Sequence, residues 1–342
     1  MVKRRFVVVC SLALLALAAA CGGGEQGQGP TKVTFMAGFK PQANLPFVGA
    51  YVAQEKGFFA QQDLDVDIKH VAQPGDNFRF LAAGEVQFST ADAAVVLERR
   101  AGDPSLPIVA IALIGQRGQQ GFGVLADSGI GSPKDWEGKT VGYKGSKPTP
   151  DYLAILEAVG ADRSKVKEVR VGFDPRFLTE GTVDVFPLFI SNEPDTLRRL
   201  GFDTQLFEAA DYGVPTLGLT YVTTEEYIRD RPDVVRRFLK AVLRGILWAR
   251  ENPDEAIDIV LTFAPNEDRD HQRFMMETEL AAALTEQTEA NGIGWMTAAQ
   301  WRSLYDMLLP FDALSRPLDD PTAAFADRFL NEIYQGGELV WP

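Results

Sequence analysis

Apolar residues follow two rhythms along this chain, and the alternation between them defines the elements. Short unbroken apolar runs at 33–37, 108–114 and 122–125 predict strands buried on both faces. The stretch 64–70 alternates apolar and charged residues, as a half-buried strand does. Further strands are expected at 86–89, 139–143, 166–171, 183–189, 204–207 and 216–223. Between them lie helical patterns at 47–56, 77–83, 91–101, 151–159, 176–180 and 193–200, with a turn and one helical turn at 132–136. A long helix is expected over 225–250, where Val235, Phe238, Leu239, Val242, Ile246 and Leu247 keep close to a 3.6-residue period. The remainder is helical, including 297–307, for which Thr297 is a plausible N-cap. Gly57 and Gly84 stand where helices should stop.

Strand–helix alternation of this kind predicts α/β architecture, with mostly parallel sheets flanked by helices. The rhythm restarts after residue 120, and the tail returns to helices that need a sheet to cover. The economical topology is therefore two lobes joined by two hinge crossings. The first lobe is built from 32–121 and 219–342 and the second from 122–218, with a ligand cleft expected between them at the carboxyl ends of the strands.

The N-terminus changes the picture of where this body works. Lys3, Arg4 and Arg5 precede an apolar run from Phe6 to Ala20 that is short for a membrane span. It closes on Leu17-Ala18-Ala19-Ala20-Cys21, which resembles a bacterial lipobox. Residues 1–20 are thus expected to be a lipoprotein signal peptide, Cys21 the lipidated residue, and the Gly-rich 21–31 a flexible tether. An ordinary cleaved signal peptide is the alternative. Export is implied either way, to the extracytoplasmic face of the cell membrane. Cys10 and Cys21 are the two cysteines, so the body beyond 21 has no thiol chemistry. The formal charge is −13, and loss of the three basic residues of the leader would leave −16. That acidity argues against nucleic acid or an anionic membrane surface as a partner.

Four stretches carry a resemblance: "GAYVAQEKGFFAQQDLDVDI", "LAAGEVQFSTADAAVVLERR", "PKDWEGKTVGY" and "RPDVVRRFLKAVLRGILWARENPDEAIDIV". In this order they resemble the periplasmic substrate-binding proteins of ABC importers, within the NMT1/THI5-like branch. The resemblance implies a type II-like two-lobed clamp, monomeric, that closes on a small molecule and presents it to a membrane permease. Within the stretches themselves, Gly57 ends a helix, Phe58 and Phe59 plug a core, and Trp136 packs under a turn.

Candidate ligand residues lie in loops at strand ends. Phe39, Gln42, Asn44 and Phe47 join the first strand to the first helix. They offer amide groups and aromatic faces; the alternative is that Asn44 caps the helix and the phenylalanines are core. Asp76 either caps a helix or accepts from a ligand. Ser89 and Thr90 precede a helix whose free N–H groups favour polar acceptors. Gln116 and Arg117 sit at the first crossing. In the second lobe the candidates are Tyr143, Tyr152, Phe173, Asn192, Glu193 and Tyr212. Aromatics and amides together suit a flat heteroaromatic ligand with a polar edge better than nitrate or a sulfonate. The stretch "GFKPQANLPFVGAYVA" resembles the riboflavin-binding members, which implies riboflavin as the transported ligand. A thiamine-pyrimidine precursor is the alternative.

An enzyme reading finds little support. Fungal thiamine-pyrimidine synthases share the implied fold but carry a Cys-rich motif that this chain lacks. No nucleophile elbow or phosphate-cradling glycine motif occurs. His70 and His271, the two histidines, lie in no metal motif and read as incidental surface or helix residues. No catalytic residue, metal or cofactor is expected.

Overall fold

The computed structural model describes residues 29–342; the leader, Cys21 and most of the 21–31 tether lie outside it. Ten strands form the framework: β1 (Thr31–Ala37), β2 (Leu64–His70), β3 (Phe88–Asp92), β4 (Ile108–Leu113), β5 (Gln120–Leu125), β6 (Thr140–Tyr143), β7 (Lys167–Arg170), β8 (Phe186–Phe189), β9 (Thr204–Glu208) and β10 (Leu219–Thr224). The first sheet has the order β2-β1-β3-β10-β4. In the second lobe β5 lies between β8 and β9, β6 pairs with β7, and a bridge from Val141 to Val185 links the two groups. The chain leaves the first sheet between β4 and β5 and returns between β9 and β10.

This is the α/β two-lobed clamp, with one adjustment. β1 runs parallel to β2 and β3, but β10 is antiparallel to both its neighbours, and β5 is antiparallel to β8 and β9. These are the strands that carry the chain across the hinge and back. They enter their sheets from the cleft side, opposite to strands fed by crossover helices.

Helices cover the sheets: α1 (Leu45–Glu55), α2 (Phe58–Gln61), α3 (Asp76–Ala82), α4 (Ala93–Arg100), α5 (Pro150–Ala158), α6 (Arg176–Thr179) and α7 (Glu193–Arg199). After β10 come α8 (Glu225–Asp230), α9 (Pro232–Glu251), α10 (Pro253–Phe263), α11 (Arg269–Ala283), α12 (Glu286–Asn291), α13 (Ala298–Leu308) and α14 (Arg328–Ile333). The long helix expected over 225–250 is two helices. Thr224 caps the first through the Tyr227 N–H, and Pro232, with no N–H to continue the ladder, starts the second. The third strand begins later than its apolar run suggested and extends to Asp92, because β10 pairs with it as far as Leu219–Asp92.

The core of the first lobe centres on α9. Phe238 stacks on Phe88 at 3.9 Å between ring centroids and packs against Phe35, Phe59 and Tyr221. In the second lobe Trp136, fully buried, packs with Phe122, Tyr152 and Phe207. The crossings lie backbone to backbone. Gly218 N–H donates to Gly115 O at 2.8 Å, and a Cβ on Gly115 would come within 2.8 Å of the Gly218 Cα. Bare backbone in both crossings keeps side chains from wedging the hinge.

A similar approach fixes α1 on α9, where a Cβ on Gly245 would lie 2.1 Å from the Gly49 carbonyl oxygen. Alanine for glycine inside a helix ordinarily gains about 1 kcal/mol. Here the obstructing atom is backbone and cannot swing away. Gly245→Ala is therefore expected to lower stability by about 1–3 kcal/mol, read as a reduced urea midpoint with an unchanged slope.

Candidate functional site

The loop from Phe39 to Asn44 leaves the carboxyl end of β1 and enters α1 with Pro46 in its first turn. Asn44 does not cap that helix through its side chain. Its Nδ2 donates instead to Glu279 Oε1 at 2.6 Å, while Gln42 Nε2 donates to Asn44 Oδ1 at 2.6 Å. Glu279, on α11 and only 2% exposed, is the centre of this network. Its Oε2 accepts from the Leu45 N–H at 2.6 Å, and its Oε1 also accepts from Ser191 Oγ of the second lobe at 3.1 Å. Gln119, in the first crossing, accepts from the Leu219 N–H with its Oε1 and turns its amide donor toward the same carboxylate. Burial pushes the Glu279 carboxyl up to about 7, against the pull of these donors.

Two turns earlier on α11, Gln272 accepts from the Ala43 N–H at 2.7 Å. Next to it His271 reaches across the cleft. Its Nδ1 lies 2.7 Å from Asp195 Oδ2 and its Nε2 2.9 Å from the Asn192 side-chain amide, both on α7 or its N-cap. The reading of His271 as incidental is thereby corrected. His70 is also engaged: its Nδ1–H donates to the Phe39 carbonyl at 2.7 Å, and the Tyr51 hydroxyl lies 2.8 Å from Nε2. Sequence reasoning passed over Glu279 and Gln272 altogether. The available signal was polar residues on a helix face otherwise filled by Met275, Met276 and Leu280, which means buried polar groups needing partners.

The other candidates divide by what they touch. Ser89 Oγ donates to Met36 O and accepts from Asn77, and Thr90 Oγ1 accepts from the Gly38 N–H, so both hold β1, β3 and the first loop together. Asp76 accepts from the Gln73 N–H and pairs with Arg79, within its own turn. Gln116 is fully bonded to Leu113 O, Trp295 O and Gln300. Arg117 is exposed and pairs with Asp211. Phe47 is buried with its edge to His70. Tyr152, 2% exposed, stacks beside Trp136 in the core of the second lobe. Glu193 is buried, bonded to Lys144 at 2.8 Å and to the Phe189 N–H. Tyr212 is half-buried beside the returning crossing. Phe39 and Phe173 are exposed, at 44% and 72%. Lys144 Nζ lies 5.0 Å from the Phe173 ring centre.

On the second lobe, Tyr143, Lys144, Thr149 and Asp151 line a chamber of about 30 Å³ at the end of β6. Asp151 begins α5, and Asp92 precedes α4 in the opposite lobe without capping it. Burial, and then the Asp151 charge, push Asp92 up to about 6; burial also raises Asp151. Glu98, on α4, is pushed up to about 7 by burial, with Asp92 adding to it and Arg99 and Lys147 opposing. No ion pair to Asp92, Asp151 or Glu98 occurs among the described residues, and sequence reasoning assigned none of the three to the site. Here the amino termini of two helices facing across a cleft carry carboxylates, where a binder of anions would leave N–H groups free.

The lobes touch on both sides of the cleft, through His271–Asp195, Ser191–Glu279 and Arg199–Asp268 on one side and Lys147 to the Asp312 carbonyl on the other. Fold and cleft together define a periplasmic-binding-protein clamp. Among solved structures it is similar to the aliphatic sulphonate binding protein SsuA of Escherichia coli, with a TM-score of 0.66, 11% identity, and coverage of 87% of this chain and 92% of the other. The NMT1/THI5 like family matches residues 44–256, and the chain belongs to that family. It is 32% identical over 294 residues to a formylaminopyrimidine-binding protein of Halalkalibacterium halodurans, covering 84% of this chain and 87% of the relative. The riboflavin-binding protein RibY of Chloroflexus aurantiacus is 29% identical over 317 residues, covering 90% and 87%. A 4-amino-5-hydroxymethyl-2-methylpyrimidine phosphate synthase of Legionella pneumophila is 28% identical over 220 residues, covering 63% of this chain and 68% of the relative.

Because Asn44 supplies one of the donors to a buried carboxylate, Asn44→Ala is expected to cost about 1–3 kcal/mol of stability. Phe39→Ala, at an exposed ring, should change it by less than about 0.5 kcal/mol. Chemical denaturation of both variants checks the contrast.

Proposed function

We propose that this chain is the binding component of an ABC importer and that its cargo is a small aminopyrimidine of the thiamine-precursor type. The observation that carries this reading is that Asp92 and Asp151, one from each lobe, lie near enough for the Asp151 charge to raise Asp92, with no basic side chain among the described residues ion-paired to either. Two carboxylates sharing a desolvated cleft repel each other unless something between them donates. An exocyclic amine and a protonatable ring nitrogen do so, and each lobe then gains a charge-assisted bond only when the clamp is shut. A sulfonate would add a third negative charge there. Riboflavin presents mostly acceptors along its ring edge and is the second reading; it is favoured by the exposed faces of Phe39 and Phe173 and by the 29% identity to a riboflavin binder. The preference for riboflavin that the first loop suggested thus gives way to the cleft carboxylates. The relative with the formylaminopyrimidine name supports the same order. A synthase reading would need a reacting group, and the body of this chain has no cysteine.

Calorimetric titration with formylaminopyrimidine, riboflavin and an alkanesulfonate tests the reading. The pyrimidine is expected to bind and to be recovered unchanged, and Asp92→Asn and Asp151→Asn should each weaken it roughly tenfold or more. Binding of riboflavin with quenched flavin fluorescence, and none of the pyrimidine, would overturn it in favour of the second reading.

Cys21 is read as the lipid attachment site that tethers the clamp beside its permease. In a bacterial host, Cys21→Ser should abolish incorporation of labelled fatty acid and release the protein from the membrane fraction; unchanged labelling would exclude Cys21.

A further inference from the structure

We propose that α11 is the latch of the clamp, with Glu279 and His271 holding the lobes shut by bonding the 191–195 turn of the second lobe, so that closure has a protein-made component separate from ligand contacts. Three observations carry it. First, α11 belongs to the first lobe, and Gln272 and Glu279 fasten it to the Ala43–Leu45 backbone at 2.6–2.7 Å. Second, the same face reaches the second lobe through Glu279 to Ser191 and through His271 to Asn192 and Asp195. Third, the receiving groups are buried: Ser191 is fully covered and Asp195 is 1% exposed. Parting the lobes removes the bonds of these groups to α11, although Asp195 keeps Arg198 and Arg199 of its own helix, so the cross-lobe bonds belong to the closed form alone.

Glu279 makes this latch sensitive to protons. The groups packed against it are Asn44, Leu45, Gln119 and Ser191, none of them charged. Around His271 stand Asp195, Asp268, Asp270, Arg198 and Arg199, already paired among themselves in part. In the closed form burial holds the Glu279 carboxyl near 7; opening exposes it to water and returns it toward the ordinary 4.5. A group whose pKa is raised by closing takes up a proton on closing. Closure is therefore favoured most below the open-form value and is lost as pH rises through about 7.

Small-angle scattering of the ligand-free full chain between pH 5 and 8 tests the latch and involves no cargo, so it can fail while the aminopyrimidine reading stands, or the reverse. The wild type is expected to be compact at pH 5 and to expand as pH rises through about 7. Ser191→Ala and His271→Ala should each be more open at pH 5, with unfolding midpoints near wild type showing that the lobes themselves are intact. Glu279→Gln, which keeps an acceptor but cannot ionise, should remain compact and lose the pH dependence. A radius of gyration that is the same at pH 5 and 8 in the wild type, or Ser191→Ala and His271→Ala variants as compact as wild type, would overturn the proposal.

Discussion

A carboxylate almost without exposure, with no cation paired to it among the described residues, sits where the first helix, the first crossing and the second lobe converge. Glu279 is tolerable there because neutral donors from three parts of the chain point at it: the Asn44 amide and Leu45 N–H at the start of the first helix, the Gln119 amide in the first crossing and the Ser191 hydroxyl of the second lobe. Each donor alone offsets only part of the cost of burying the charge. The loop after β1, the hinge and the 191–195 turn must therefore keep their relative positions. The Gly115–Gly218 contact lets this happen, since two bare backbones can lie close enough for the lobes to meet while still permitting rotation.

The same geometry assigns different jobs to residues that look alike in sequence. Ser89, Thr90, Gln116 and Glu193 are polar and near strand ends, yet each is bonded into the frame of its own lobe or the hinge. They fix the walls. Asp92 and Asp151 have no ion pair to a basic side chain among the described residues, and they come from opposite lobes, the Asp151 charge raising Asp92. An acidic body does not by itself dictate the cargo, because most of its carboxylates are on the solvated surface. Two carboxylates concentrated at the cleft ends of α4 and α5 set the local field instead.

What the sequence made legible was what periodicity and punctuation encode. The alternation of strands and helices, the glycine stop at Gly57, the buried Phe58-Phe59 pair and Trp136 beneath its turn all follow from local pattern and appear in the structure. The two-lobe path was legible because the rhythm restarts and the tail needs a sheet. The antiparallel placement of β5 and β10 was not, since strand direction depends on which end of the sheet the hinge feeds. His271 and Glu279 were hidden for a related reason. Their partners are 76 to 88 residues away in the other lobe, or more than 230 away in the first loop, and no local window contains both sides of such a contact. The polar residues Gln272 and Glu279 on an apolar helix face were the one visible trace.

Closing and capturing then exchange protons in opposite directions. Closing without ligand buries Glu279 and draws a proton onto it near pH 7. Capturing a donor ligand does the reverse at Asp92, which burial, and then the Asp151 charge, hold near 6. A donor placed between the two favours their charged forms, lowers both, and releases a proton. The first effect weakens the closed form as pH rises through 7, and the second strengthens ligand contacts as pH rises through 6. Below about 6, where both operate, the two partly cancel, so capture of cargo there depends less on acidity than closure alone does. The two contributions separate only when closure is followed without ligand, because Asp92 and Asp151 then have nothing to bind and Glu279 acts alone.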